Sequence, residues 1–103
     1  MQRLPISGVV IAFNEADRIA RCVESLAEVC DEVVVMDSGS TDATARIAES
    51  LGARVVQQPW LGFSAQKNAV VAQAKNPWVL LLDSDEWLDA QAGTKIATLF
   101  SSG

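Results

Sequence analysis

Four short apolar runs, each rich in β-branched residues and separated from the next by a helical pattern, constrain this chain more than any other feature. They are Ile6 to Phe13, Glu32 to Met36, Arg54 to Gln57 and Trp78 to Leu82. Strands buried on both faces read as unbroken apolar runs, and strands separated by helix-length segments are joined by crossovers rather than hairpins. The alternation therefore predicts an α/β fold, a three-layer sandwich around a mostly parallel sheet. "EADRIARCVESLAEV" places Ile19, Cys22, Val23 and Leu26 on one face, as a helix lying on that sheet requires. Asn14 is the expected cap of this helix, Ser40 or Thr41 that of the next, and Gly52 its stop. A third helical pattern, "SAQKNAVVAQAK", follows the loop "WLGF", and Asp89 is expected to cap a last helix that Gly93 weakens. No linker, repeat or low-complexity tract interrupts the chain, so residues 1–103 read as one unit.

Charge and composition exclude several functions. A formal net charge of −5 would repel nucleic acid or an anionic lipid surface at long range. The absence of histidine removes Cys/His zinc sites and Ser/His nucleophile pairs. Cys22 and Cys30 have neither metal-type nor redox-type spacing and read as two reduced thiols. The apolar "ISGVVIAF" breaks at Asn14 and Glu15 without a cleavage site, so it reads as a first strand rather than a signal peptide. No apolar run is long enough to cross a bilayer, and the expected compartment is the cytoplasm, up to the inner face of a bacterial inner membrane. Neither G-x-G-x-x-G nor G-x-x-x-x-G-K-S/T follows the first strand, which leaves dinucleotide-binding and P-loop readings without their phosphate cradle.

In an open parallel sheet the ligand crevice lies beyond the carboxyl ends of the strands, and the informative polar residues fall at such ends. "VLLLDSDEWL" reads as a buried strand that runs into Asp83, Asp85 and Glu86. Extended alternation would send Asp83 and Asp85 to one side and Ser84 to the other. Paired carboxylates supply hard oxygen ligands for Mg²⁺ or Mn²⁺, and the competing reading is a solvated acidic turn. "VVVMDSGSTD" offers Asp37 and the free amides of a Ser38–Gly39–Ser40 turn to a ligand, or equally a strand-to-helix turn with a good cap. "AFNEADR" presents Asn14 and Glu15, which a helix cap explains as well. Lys67 and Asn68 stand early in a helix, where a lysine opposes the dipole and suits an anionic partner, although an exposed lysine is the plainer account.

Taken together, "ISGVVIAFNEADRIARCVESL", "DEVVVMDSGSTDATARIAE", "PWLGFSAQKNAVVAQA" and "WVLLLDSDEWL" resemble, in this order, the nucleotide-sugar-binding half of family 2 glycosyltransferases. The likeness is to the bacterial branch that builds the lipopolysaccharide core, including β-1,4-glucosyltransferase-like members. It implies a GT-A fold with a Rossmann-like sheet, and a donor site for a UDP-sugar formed by Ala12, Phe13, Asn14, Glu15, Asp37, Ser38, Gly39, Lys67, Asn68, Asp83 and Ser84. Within it, Asp37 would contact the uracil, Lys67 and Asn68 the diphosphate, and Asp83 the ribose or donor. Asp85, with Asp83, would hold Mg²⁺ or Mn²⁺. Ala12 and Phe13 stand where the family often has Pro and Tyr, and Ser38 replaces a frequent second Asp.

The implied activity is metal-dependent transfer of a hexose, with inversion, to a lipopolysaccharide-core or other glycan or lipid-linked saccharide acceptor. The base is expected beyond Gly103, since Glu86 and Asp89 sit beside the metal. The chain is expected to be truncated at its C-terminus, to transfer sugar slowly or not at all without more chain or a partner, and to be prone to self-association at the exposed sheet edge. The rival readings are a non-catalytic nucleotide-sugar-binding or assembly module and, ranked last, a nucleotidyltransferase.

Overall fold

The computed structural model describes residues 3–102. Strands and helices alternate throughout: β1 (Leu4–Ala12), α1 (Ile19–Val29), β2 (Cys30–Asp37), α2 (Thr44–Ser50), β3 (Arg54–Gln57), α3 (Phe63–Ala72), β4 (Trp78–Asp83) and α4 (Ala90–Ser102). All strand pairings are parallel, in the order β3-β2-β1-β4. The chain steps outward from β1 to β3 and then returns to β1's other side. That reversal makes the carboxyl ends of β1 and β4 the switch point, where an open α/β sheet leaves a crevice. The α/β layering expected from the alternation is therefore the one observed.

Side-chain alternation along the central strands builds two cores. Val10, Val33 and Val35 face Ile19, Cys22, Val23 and Leu26 of α1, with α2 and α4 packed alongside. Val9, Val34 and Met36 face the other way, onto Val70 of α3. Gly8 is required in β1 because a Cβ there would stand 3.1–3.2 Å from three carbons of Leu26. β4 departs from the expectation of a buried strand. It is an edge strand whose residues Val79 to Leu82 are only half-buried, because no strand lies beyond it among the described residues. Among the described residues no helix is long and apolar enough to cross a membrane.

The helix termini differ from the expected caps in an instructive way. Neither Arg18, before α1, nor Ala43, before α2, makes a side-chain cap. Asn14, Ser40 and Thr41 are used instead to tie two loops together, as described below. The C-terminus of α2 is as expected: Gly52 has φ +94°, and the N–H groups of Gly52 and Ala53 donate to the carbonyls of Glu49 and Ala48, a Schellman arrangement. Asp89 caps α4 through the Ala92 N–H at 2.7 Å. Gly93, which costs helix propensity, lets α4 approach α1, since a Cβ there would lie 3.3 Å from Val29.

A polar clasp closes the opposite end of the sheet. The buried Ser7 hydroxyl donates to Glu32 at 2.7 Å and accepts from both the backbone and side-chain N–H of Asn76. Burial works to raise the pKa of Glu32, but hydrogen bonds from the Lys75 N–H and Ser7, with the Arg54 charge, outweigh it and hold the carboxyl below its ordinary range. A depressed carboxyl stabilises the fold above its unfolded pKa and loses that contribution as pH falls through the folded one. The wild type should therefore lose stability below about pH 4.5. Glu32→Gln should flatten that acid limb while lowering stability at neutral pH by about 1–3 kcal/mol, measured by urea unfolding at several pH values. Gly8→Ala should cost about 1–3 kcal/mol by forcing Leu26 off its position, with no change in the pH profile.

Candidate functional site

At the carboxyl ends of the strands, backbone amides of the β1–α1 loop are satisfied by side chains of the β2–α2 loop. The N–H groups of Asn14, Glu15 and Ala16 donate to the Ser40 hydroxyl at 2.8 Å, the Thr44 hydroxyl at 2.8 Å and Asp42 at 3.2 Å. In return the Asn14 side-chain oxygen accepts from the Thr41 N–H at 2.8 Å. Asn14 has φ +51°, a left-handed conformation that asparagine tolerates better than most residues. Asp42 is held below the ordinary carboxyl range, first by its hydrogen bond from the Thr44 hydroxyl and then by backbone N–H donors. Two loops that a lone helix cap would have left independent thus form one rigid rim.

Asp37 anchors this rim from below. Its carboxylate is 1% exposed and accepts from the Gly39 and Ser40 N–H groups and the Ser40 hydroxyl. Gly39, at φ +91°, makes the tight turn possible. A buried carboxylate left without donors would be expensive, so the turn and the aspartate stabilise each other. Ser38 emerges at the end of this strand, its N–H donating to the Ala12 carbonyl at 3.1 Å.

The acidic segment is a turn rather than a continued strand. β4 ends at Asp83, and Ser84 and Asp85 form the corners of a turn closed by the Glu86 N–H donating to the Asp83 carbonyl at 2.9 Å. Glu86 is used within the turn, its carboxylate accepting from the Asp83 N–H at 2.9 Å. Extended alternation therefore does not govern Ser84, and all three residues line one cavity. Asp85 lies 3.9 Å from the Arg18 guanidinium, which is equally far from Glu15. Such exposed pairs contribute about 0–1 kcal/mol, so a stronger cation displaces them readily.

Helix α1 backs this turn along its length. The Cys22 thiol lies 3.6 Å from the Asp83 carbonyl and donates to it. The Ser25 hydroxyl accepts from the Leu88 N–H at 3.0 Å, and the Arg21 guanidinium sits 3.8 Å over the Trp87 ring. Burial, then the charges of Glu86, Asp85 and Asp83, push Cys22 up to about 12, so it remains a neutral thiol donor.

The cavity has a volume of about 470 Å³ and lies at the switch point. Of the residues singled out from sequence, Ala12, Phe13, Glu15, Ser38, Lys67, Asp83, Ser84 and Asp85 line it. Asn14, Asp37, Gly39 and Asn68 do not: the first three build the rim, and Asn68 is exposed on α3. Ile11, Trp60 and Phe63 also line the cavity and were missed. The signal for the aromatic pair was present, two aromatic residues in "PWLGF" directly after a strand end. Among the described residues no group of three or more His, Cys, Asp or Glu is arranged to hold a metal. The paired Asp83 and Asp85 nonetheless suit a hard cation that keeps several waters and takes its remaining ligands from phosphate oxygens, because such an ion uses only one or two protein carboxylates.

Residues 7–103 match the family model for glycosyl transferase family 2. An uncharacterized glycosyltransferase of Rickettsia bellii is 47% identical over 97 residues, covering 94% of this chain and 33% of its own. The lipopolysaccharide core biosynthesis glycosyltransferase LpsC of Rhizobium meliloti is 40% identical over 92 residues, covering 84% of this chain and 34% of its own. Among solved structures, glucosyl-3-phosphoglycerate synthase of Mycobacterium tuberculosis, in complex with Mn²⁺, UDP and glucosyl-3-phosphoglycerate, aligns with a TM-score of 0.68 at 33% identity. It covers 77% of this chain and 33% of that one. The chain thus spans about a third of the length of the relatives it matches.

Asn14 gives the rim a direct test. Asn14→Ala should lower stability by about 1–3 kcal/mol, through the orphaned Thr41 N–H and the left-handed backbone. Asn14→Gly should recover the backbone part but not the hydrogen bond, as read from chemical denaturation of the two variants.

Proposed function

The chain belongs to glycosyl transferase family 2, and on that premise we propose that it is the donor-binding part of a hexosyltransferase that uses a UDP-sugar and a divalent cation, Mg²⁺ or Mn²⁺. One observation carries the reading: two carboxylates, a lysine and a strand-end rim converge on a single cavity at the switch point of a parallel sheet. Its support from relatives is the solved neighbour that holds UDP and Mn²⁺ on an alignable frame.

In this reading Asp83 and Asp85 hold the cation, and Arg18 yields Asp85 to it. Lys67 places positive charge beside the diphosphate. Ala12, Phe13, Glu15 and Ser38 form the nucleotide end of the cavity. Asp37, enclosed in its turn, fixes Ser38 and the Gly39 bend at the end of the cavity that would take the base. Asn14 does the same for the facing loop, and Asn68 extends the polar face of α3 next to Lys67. When bound, the cation supplies neutralisation of the charge that develops on the diphosphate as the anomeric C–O bond breaks. Glu86 is committed to the Asp83 N–H and Asp89 to the α4 cap. Both are poor candidates for the base of an inverting transfer to a lipopolysaccharide-core or other glycan acceptor.

Calorimetric titration of UDP in the presence of Mn²⁺ tests the assignment. Wild type should bind, and Asp85→Ala should bind at least roughly tenfold more weakly, a loss of about 1.4 kcal/mol or more. Equal affinities for the two proteins would remove the metal from Asp85.

A further inference from the structure

Two exposed large apolar side chains stand side by side at the edge of the cavity. Trp60 is 50% and Phe63 75% exposed, and their rings meet edge to face, 4.9 Å between centroids at an interplanar angle of 88°. Leaving two large rings in water gains the fold little, and exposed aromatic surface beside a cleft marks a recognition site.

The loop that carries Trp60 is nevertheless held firmly. Gln66 of α3 is fully buried, and its side chain accepts from the Leu61 N–H at 3.0 Å and donates to the Gln58 carbonyl at 3.3 Å. One amide therefore grips the backbone on both sides of Trp60. The Gln58 N–H donates to the Asp37 carbonyl at 2.9 Å, tying the same loop to the end of β2. Burying a glutamine to brace an exposed tryptophan makes sense if the ring must keep its place without a ligand, the arrangement that lowers the entropy cost of binding.

We infer that Trp60 and Phe63 form a platform for the C–H face of a pyranose ring. The inference rests on the donor-site reading above and extends it. Phe63 and Lys67 are four residues apart on α3 and share a face, so a ring lying on the platform adjoins whatever anion Lys67 meets. If that anion is the diphosphate, its neighbours are a nucleoside and a hexose. Phe13, Glu15 and Ser38, at the ends of β1 and β2, occupy the nucleoside end, which leaves the α3 side for the sugar. The chemistry agrees: one wall is apolar and aromatic, while Asp83, Asp85 and Lys67 are polar. A pyranose has the matching form, an apolar face bounded by hydroxyls.

The ring comes either from the donor hexose or from a saccharide acceptor, and binding measurements on the full chain with Mn²⁺ separate the two. UDP and UDP-glucose are titrated into wild type, Trp60→Ala and Trp60→Phe, and maltose is followed by saturation-transfer NMR in the presence of UDP. For a donor hexose, Trp60→Ala weakens UDP-glucose by roughly fivefold, leaves UDP unchanged, and Trp60→Phe restores most of the loss. For an acceptor ring, both nucleotides bind as in wild type, and the maltose signal disappears in Trp60→Ala and returns in Trp60→Phe. Equal weakening of UDP and UDP-glucose would assign the platform to the base and overturn the inference, as would three unchanged ligands. If wild type binds UDP and Asp85→Ala does not, either of those results overturns the platform alone; if wild type binds no UDP, the donor-site reading fails and the platform with it.

Discussion

Burying β1 and β2 on both faces leaves these strands no wet side, and the rest of the molecule follows from that constraint. Val9, Val10, Val34 and Val35 are fully buried, two toward α1 and two toward α3. Polar side chains cannot alternate with them as they would on an antiparallel sheet, so they gather where the strands end. At one end they form the Ser7–Glu32–Asn76 clasp, which holds the sheet shut. At the other they form the rim and the acidic turn, which leave it open.

The open end is built by mutual satisfaction rather than by strain. Asp37 needs donors because it is buried, and the Gly39–Ser40 turn supplies them. Asn14 to Ala16 need acceptors because their amides precede a helix without a side-chain cap, and Ser40, Asp42 and Thr44 provide them from across the loop. Each loop completes the other, so the floor of the cavity stays in place without a ligand. The acidic turn is treated in the same way: α1 supports it through Cys22, Arg21 and Ser25, while the ion pair described there is the exposed one between Arg18 and Asp85. Packing fixes the position of the carboxylates, and a weak, exposed ion pair leaves their charge available.

Family membership and the likeness to a solved UDP- and Mn²⁺-bound enzyme support the proposed reading of this open end as a donor site. This chain corresponds to about a third of the length of its relatives. Under the proposed reading, the described residues grip a donor and a cation. Glu86 and Asp89, the carboxylates that follow the aspartate pair, are engaged locally.

Periodicity was enough to read the layers. The α1 face of Ile19, Cys22, Val23 and Leu26, the four strands and the Gly52 stop depend on short-range spacing, and burial follows spacing when a segment is regular. The carboxylate pair was legible for the same reason, as charges at the end of an aliphatic run. What spacing could not give was the partner of each polar group. Ser40, Thr41 and Asn14 are good caps by local chemistry, yet a facing loop 26 or 27 residues away in sequence outbid the helix for them. Asp83 to Asp85 were placed by extrapolating an extended strand through what is a turn. β4 looked buried because its residues are aliphatic, whereas its edge position follows from the order of strands in space. Trp60 read as part of a loop, and the hydrogen bonds of the buried Gln66 behind it, which no spacing records, tie that loop to α3. Local sequence determined which segments are regular and which residues carry charge; the tertiary structure decided which hydrogen bonds form, because those depend on contacts between loops that no periodic pattern records.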